Sequence, residues 1–111
     1  METTMKLEID RRKWLRGEYP SRLLRVSSRK QCCVGIYLSA LGVPDEALLD
    51  RCYADSCGVG PLPEEARWLL GHSADAHALY VRNDDAMAEE TREIAIAAIF
   101  AKHGIEVTFT N

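Results

Sequence analysis

Near each end of the sequence, apolar and polar residues alternate strictly. Met5, Leu7 and Ile9 are interleaved with Lys6 and Glu8, and Ile105, Val107 and Phe109 with Glu106, Thr108 and Thr110. A strand turns successive side chains to opposite faces, so each pattern describes a strand with one buried face and one wet face. Such a strand needs a neighbour in its sheet and a layer over its apolar side. A chain of 111 residues has room for one core. Both segments are therefore expected in one small antiparallel sheet of two or three strands, with Ala78–Arg82 as the third candidate. Helices must supply the cover. The expected class is α+β, a single domain over residues 1–111 with three to five helices.

The punctuation between the ends is helical. Asp10 is placed to cap a short turn through Trp14 and Leu15, stopped by Gly17 and Pro20. Ser28 and Gln31 have capping-box spacing before an apolar run from Cys32 to Leu41. Gly42 supplies a left-handed stop, and Pro44 opens a helix through about Cys52. Residues 53–62 read as a loop. Pro63, Glu64 and Glu65 open a short helix ending at Gly71. The last helix, near Ala86–His103, has Glu89, Glu90 and Glu93 early and Lys102 and His103 late, which suits the helix dipole. Ile94, Ile96, Ile99 and Phe100 share no narrow stripe, so its second half is expected to be buried nearly all round.

Charge is distributed unevenly. Residues 1–30 hold nine of the 14 basic side chains against four acidic ones, a net of +5, whereas residues 31–111 carry −8. Two candidate binding surfaces follow: a basic one at Arg11, Arg12, Lys13, Trp14 and Arg16, and an acidic one at Asp84, Asp85, Glu89 and Glu90. Either suits a charged macromolecule. The basic third also makes nucleic acid a candidate partner, with Trp14 among the arginines as a ring on which a base could stack. Anchoring a short turn to the core is the competing role for Trp14. No apolar segment is long enough to span a bilayer and no signal peptide is visible, so the expected setting is the cytoplasm, with reduced cysteines.

Catalytic and metal chemistry find weaker support. Cys52, Cys57, His72 and His77 repeat one spacing, but adjacent Cys32 and Cys33 diverge by about 100° on a helix and cannot readily share an ion. No metal and no cofactor is expected. Cys32 or Cys33 near a helix start, with His77 ahead of a candidate strand, is the outline of a cysteine hydrolase, lacking a third residue. Asn83, Asp84 and Asp85 fit a turn with a helix cap, or a divalent cation.

Several short elements resemble one family. Ile9-Asp10, Trp14-Leu15-Arg16-Gly17, Ser21-Arg22-Leu23-Leu24, Cys32-Cys33-Val34-Gly35, Ala40-Leu41-Gly42-Val43-Pro44 and Gly104-Ile105-Glu106-Val107 are similar to a pattern in small proteins encoded by bacteriophages and prophages. The resemblance implies a phage origin and no mechanism. Small phage proteins often bind host macromolecules, some as inhibitors of host defence such as anti-CRISPR proteins, and a host protein or protein–nucleic-acid complex is the partner it implies.

Overall fold

The two alternating segments are strands, and they lie side by side. In the computed structural model, which describes residues 5–17, 22–54, 62–70 and 73–110, β1 (Met5–Asp10) pairs with β2 (Ile105–Thr110). The register sets Met5 beside Ile105 and Ile9 beside Phe109. The pair is parallel, which corrects the expected antiparallel sheet. Alternation records which face is buried, not which way a partner runs. The intervening residues, 11–104, are ample for the crossover that parallel pairing needs.

Four α-helices and a 3₁₀ helix among the described residues complete the α+β fold: α1 (Cys33–Ala40), α2 (Asp45–Leu48), the 3₁₀ helix (Glu64–Leu69), α3 (Ala74–Asp84) and α4 (Glu89–Ala101). Helix α4 packs on β2 and on α3, and α1 reaches both α3 and β1. Leu7, Ile9, Trp14, Leu23, Tyr37, Leu38, Leu79, Ile96 and Phe100 meet in one apolar core. Among the described residues no helix is long and apolar enough to cross a membrane.

Ala78–Arg82 is not a third strand but the middle of α3. A short apolar run fits either structure, and here its neighbours decide. Ala76, Leu79, Tyr80 and Asn83 are the buried positions, a spacing that makes one helical face, and the Ser73 hydroxyl caps it by accepting from Ala76 N–H at 3.3 Å.

The capping box is also corrected. Helix α1 starts later than Ser28 implies, with Cys32 as its N-cap residue and no side-chain cap. Ser28 instead accepts from Lys30 N–H at 3.3 Å, while the Gln31 amide donates to Gly35 O at 3.1 Å and to Ser39 Oγ at 2.8 Å. Helix α4 is shorter than expected, and Ile94 on it is 64% exposed. Arg92, Ile96, Ile99 and Phe100 form its buried face, so burial is one-sided rather than all round. Helix α2 ends at Leu48, well before Cys52.

Candidate functional site

The short turn after β1 is the structural centre of the site. The Asp10 carboxylate accepts from Arg12 N–H at 2.9 Å, and the Asp10 carbonyl accepts from Lys13 N–H at 2.9 Å. This bend drops Trp14 into the core, 1% exposed. Trp14 is thus an anchor and not an exposed platform for a base. Its indole N–H donates to Asn83 Oδ1 at 2.8 Å, and the same oxygen accepts Cys33 N–H at 3.0 Å. The Asn83 amide donates to Leu15 O at 3.0 Å, and its backbone carbonyl accepts from Gly17 N–H at 2.8 Å. One buried side chain ties α3, the start of α1 and the post-β1 turn together. Asn83 and Asp84 end α3 and Asp85 caps it, so the expected turn at these residues is a helix terminus.

Around this hub the two candidate charged surfaces meet each other. Arg16 lies over the Trp14 ring, 4.5 Å from its centre, and clamps Glu89 through Nε at 2.8 Å and Nη2 at 2.6 Å. Its Nη1 donates to the carbonyls of Arg11 and Trp14. Arg92 approaches Glu89 from the other side at 3.2 Å and donates to the carbonyls of Arg82 and Asp85, closing the C-terminal end of α3. Arg11 pairs bidentately with Glu93 at 2.7 and 2.8 Å, and Arg12 pairs with Asp10 at 3.0 Å. Lys13, Asp85 and Glu90 are exposed, and Asp84 accepts from the Asn83 amide at 3.2 Å. The lopsided charge of the sequence is therefore partly consumed inside the fold.

Beside this paired network lies a concave surface on which cations predominate. A pocket of about 410 Å³ is lined by Trp14, Leu15, Arg16, Arg25, Ser28, Lys30, Glu89 and Arg92, four cations against one carboxylate. Its rim is the loop from Arg25 to Lys30, closed by Arg25 N–H to Lys30 O and Arg29 N–H to Arg25 O, both 2.8 Å. Arg29 sits in the left-handed region at φ 60°, which is uncommon for a residue with a side chain. The Asp50 carboxylate holds the loop from behind by accepting Val26 N–H at 3.2 Å. Arg16 and Arg92 are committed to internal acceptors, so they supply field. Lys30 and Ser28, both exposed at the rim, are placed to touch a ligand.

Sequence reasoning singled out Trp14, Arg16 and Glu89 of this pocket as binding residues, but not Leu15, Arg25, Ser28, Lys30 or Arg92. The density of basic residues through Lys30 was the available signal. Nothing local marks Arg92, which joins the pocket only through the packing of α4.

Glu89 carries a pH signature. The hydrogen bond from Arg16, with Arg92 assisting, holds its carboxyl below the ordinary 4.5 despite partial burial. A carboxylate whose pKa falls on folding stabilises the fold fully above its unfolded value, and the contribution is lost as pH drops through the lowered one. Glu89→Gln is expected to unfold more easily than wild type at neutral pH. In denaturant titrations the gap should narrow and close as pH is taken well below 4.5. A gap that persists unchanged at low pH would exclude the ion pair as its source.

The expected thiol chemistry fares differently. Cys32 and Cys33 stand at the start of α1, yet both are wholly buried. Burial pushes the Cys32 thiol up to about 12 and Cys33 well above its ordinary value, so desolvation outweighs any help from the helix dipole. His77 lies on the exposed side of α3, away from the buried face that carries Asn83. The structure does not assemble a nucleophile and base from these residues. Cys57 and His72 lie outside the described residues, and among the described residues no three potential ligands gather round one point.

Comparison with protein-family models, with curated proteins and with solved structures finds no match to this chain.

Proposed function

We propose that this protein works by binding, not by turnover, and that it docks an acidic segment of a host-cell protein into the pocket beneath the Arg25–Lys30 loop. The observation carrying this is the four-to-one excess of cations in that pocket, with Lys30 exposed at its rim. An acidic protein is favoured over nucleic acid for two reasons. Trp14 is buried and offers no stacking surface. The chain is also net negative, −3, so one compact positive site suits a discrete anionic group better than a long phosphate track. The resemblance to small phage proteins sets the biological frame, a cytoplasmic modulator of a host system, with inhibition of host defence in the manner of an anti-CRISPR as the specific form.

Affinity capture from a bacterial lysate, followed by mass spectrometry of retained protein and nucleic acid, tests both parts. A retained protein should be shed as salt rises. Lys30→Glu should slow its association by about tenfold while leaving dissociation nearly unchanged, as expected of steering by a rim charge. Retention of nucleic acid alone would overturn the partner class. Binding indifferent to Lys30→Glu would overturn the site.

A further inference from the structure

Four arginines on the turn after β1 and on the rim loop are each matched by a carboxylate. Arg11 pairs with Glu93, Arg12 with Asp10, Arg16 with Glu89, and Arg29 with Asp45 at 3.0 Å. Lys13 and Lys30 are different. Both are exposed, and neither side chain has a hydrogen bond or ion pair among the described residues. The neighbouring carboxylates are already engaged. Asp10 feels Lys13, but its carboxyl is held low first by hydrogen bonds from Arg12, with the charge of Lys13 the least of the causes. Asp50 accepts from Val26 N–H, and Glu89 is shared by Arg16 and Arg92.

The backbone brings these two lysines together. Gln31 N–H donates to Lys13 O at 3.0 Å and Leu15 N–H to Gln31 O at 2.7 Å, which sets Trp14 and Gln31 side by side in a short parallel bridge. One position earlier on each segment stand Lys13 and Lys30. Backbones bridged in this way lie about 5 Å apart, and aligned residues leave from the same side. Trp14 is buried and the Gln31 amide is turned to Gly35 O and Ser39 Oγ, so the lysines fall on the other, exposed side. Two ammonium groups are thus held as neighbours, with no carboxylate among the described residues paired to either. Like charges in register cost stability, and an anion supplied from outside relieves that cost.

We infer that Lys13 and Lys30 act together as a two-point anchor for a pair of neighbouring carboxylates on the docked acidic segment, one carboxylate to each ammonium. The inference rests on the docking proposed for the pocket and refines it. Lys30 lines the pocket, and Lys13 extends its positive rim along the bridge. The recognition element of the partner is then two acidic side chains on one face of the segment. Alternate positions of an extended peptide supply this, about 7 Å apart. A lone acid engages one lysine and leaves the other unmatched. Lysine suits the role, since a compact charge on a flexible stem can follow a carboxylate without the fixed fork of arginine.

Two end-capped peptides test it: Gly-Ser-Asp-Gly-Asp-Ser-Gly, and the same sequence with asparagine for the second aspartate. Each is titrated into the full chain at low ionic strength and followed by amide NMR shifts. The two-aspartate peptide should bind about fivefold more tightly than the other. Lys13→Gln and Lys30→Gln should each cut that preference to about twofold or less, as only one ammonium then remains. Neither replacement should lower the thermal unfolding midpoint, because each removes a repelled charge and breaks no side-chain hydrogen bond or ion pair. Equal binding of the two peptides, sensitive to Lys30→Gln alone, overturns the paired anchor and leaves the pocket standing. Binding indifferent to both replacements, or no binding of the two-aspartate peptide at millimolar concentration, overturns the pocket as well. A Lys13→Gln protein that unfolds at a lower temperature has lost a contact within the chain, which also overturns the anchor.

Discussion

Replacing Gly35 by alanine is expected to prevent the chain from reaching its native packing. Helix propensity alone argues the opposite, since alanine in a helix interior is better than glycine by about 1 kcal/mol. The contact decides. A Cβ on Gly35 would lie 1.9 Å from the Leu23 carbonyl oxygen and 2.7 Å from its carbonyl carbon. Backbone cannot swing aside as a side-chain tip can. The segment is also held on both flanks, by Leu23 N–H to Arg51 O at 2.7 Å and Cys32 N–H to Arg22 O at 2.8 Å. Relief would require α1 to lift off the segment beneath it. A loss of more than about 3 kcal/mol follows, at the upper end for an overpacked core. Thermal unfolding followed by near-ultraviolet circular dichroism would measure it. Gly42→Ala is the control, because nothing lies within 4 Å of that Cβ and only its φ of +95° is unfavourable. It should cost about 1 kcal/mol. A Gly35→Ala protein as stable as wild type would mean that α1 does not press on Leu23.

Asn83→Ala is expected to have the next largest effect. It strands the Trp14 indole N–H, the Cys33 N–H and the Leu15 carbonyl, all in the interior. Each orphaned buried group costs roughly 1–3 kcal/mol, and their shared location makes the total less than additive. A destabilisation of about 3–5 kcal/mol in urea unfolding is the expected result, short of three independent losses at the upper value. Trp14→Phe removes one of the three stranded groups, the indole donor. The double variant should therefore lose clearly less than the two single losses combined. Additive losses would show that the hub is not a single network.

The sheet was legible from sequence because β1 and β2 each write their own burial into a two-residue period. Direction was not, since the same alternation serves either orientation. Ala78–Arg82 misled for a related reason. Its apolar residues fit a strand until Ala76 and Asn83 extend the spacing to that of a helix. Asn83 itself looked like a turn residue, and its role depends on Trp14 and Cys33, partners distant in the chain. Ser28 and Gln31 matched a cap by spacing, yet the Gln31 amide found better acceptors on α1. The cationic pocket was half visible. Arg16 and Glu89 stood out by charge, whereas Arg92 enters through helix packing that no local pattern encodes.

Strand pairing between β1 and β2 also sets an order of events during synthesis. β1 emerges early and stays without its neighbour until residues 11–104 have followed it. Closing so long a loop is slow compared with local helix formation. Until then Leu7 and Ile9, which end wholly buried, stay exposed beside an unpaired strand. The helices can begin to form on the nascent chain, but the sheet must wait for translation to reach β2. A ribosome stalled shortly before Ile105 would therefore hold a chain with its helical segments already synthesised and its first strand still open to chaperones, or to the β1 of a neighbouring nascent chain.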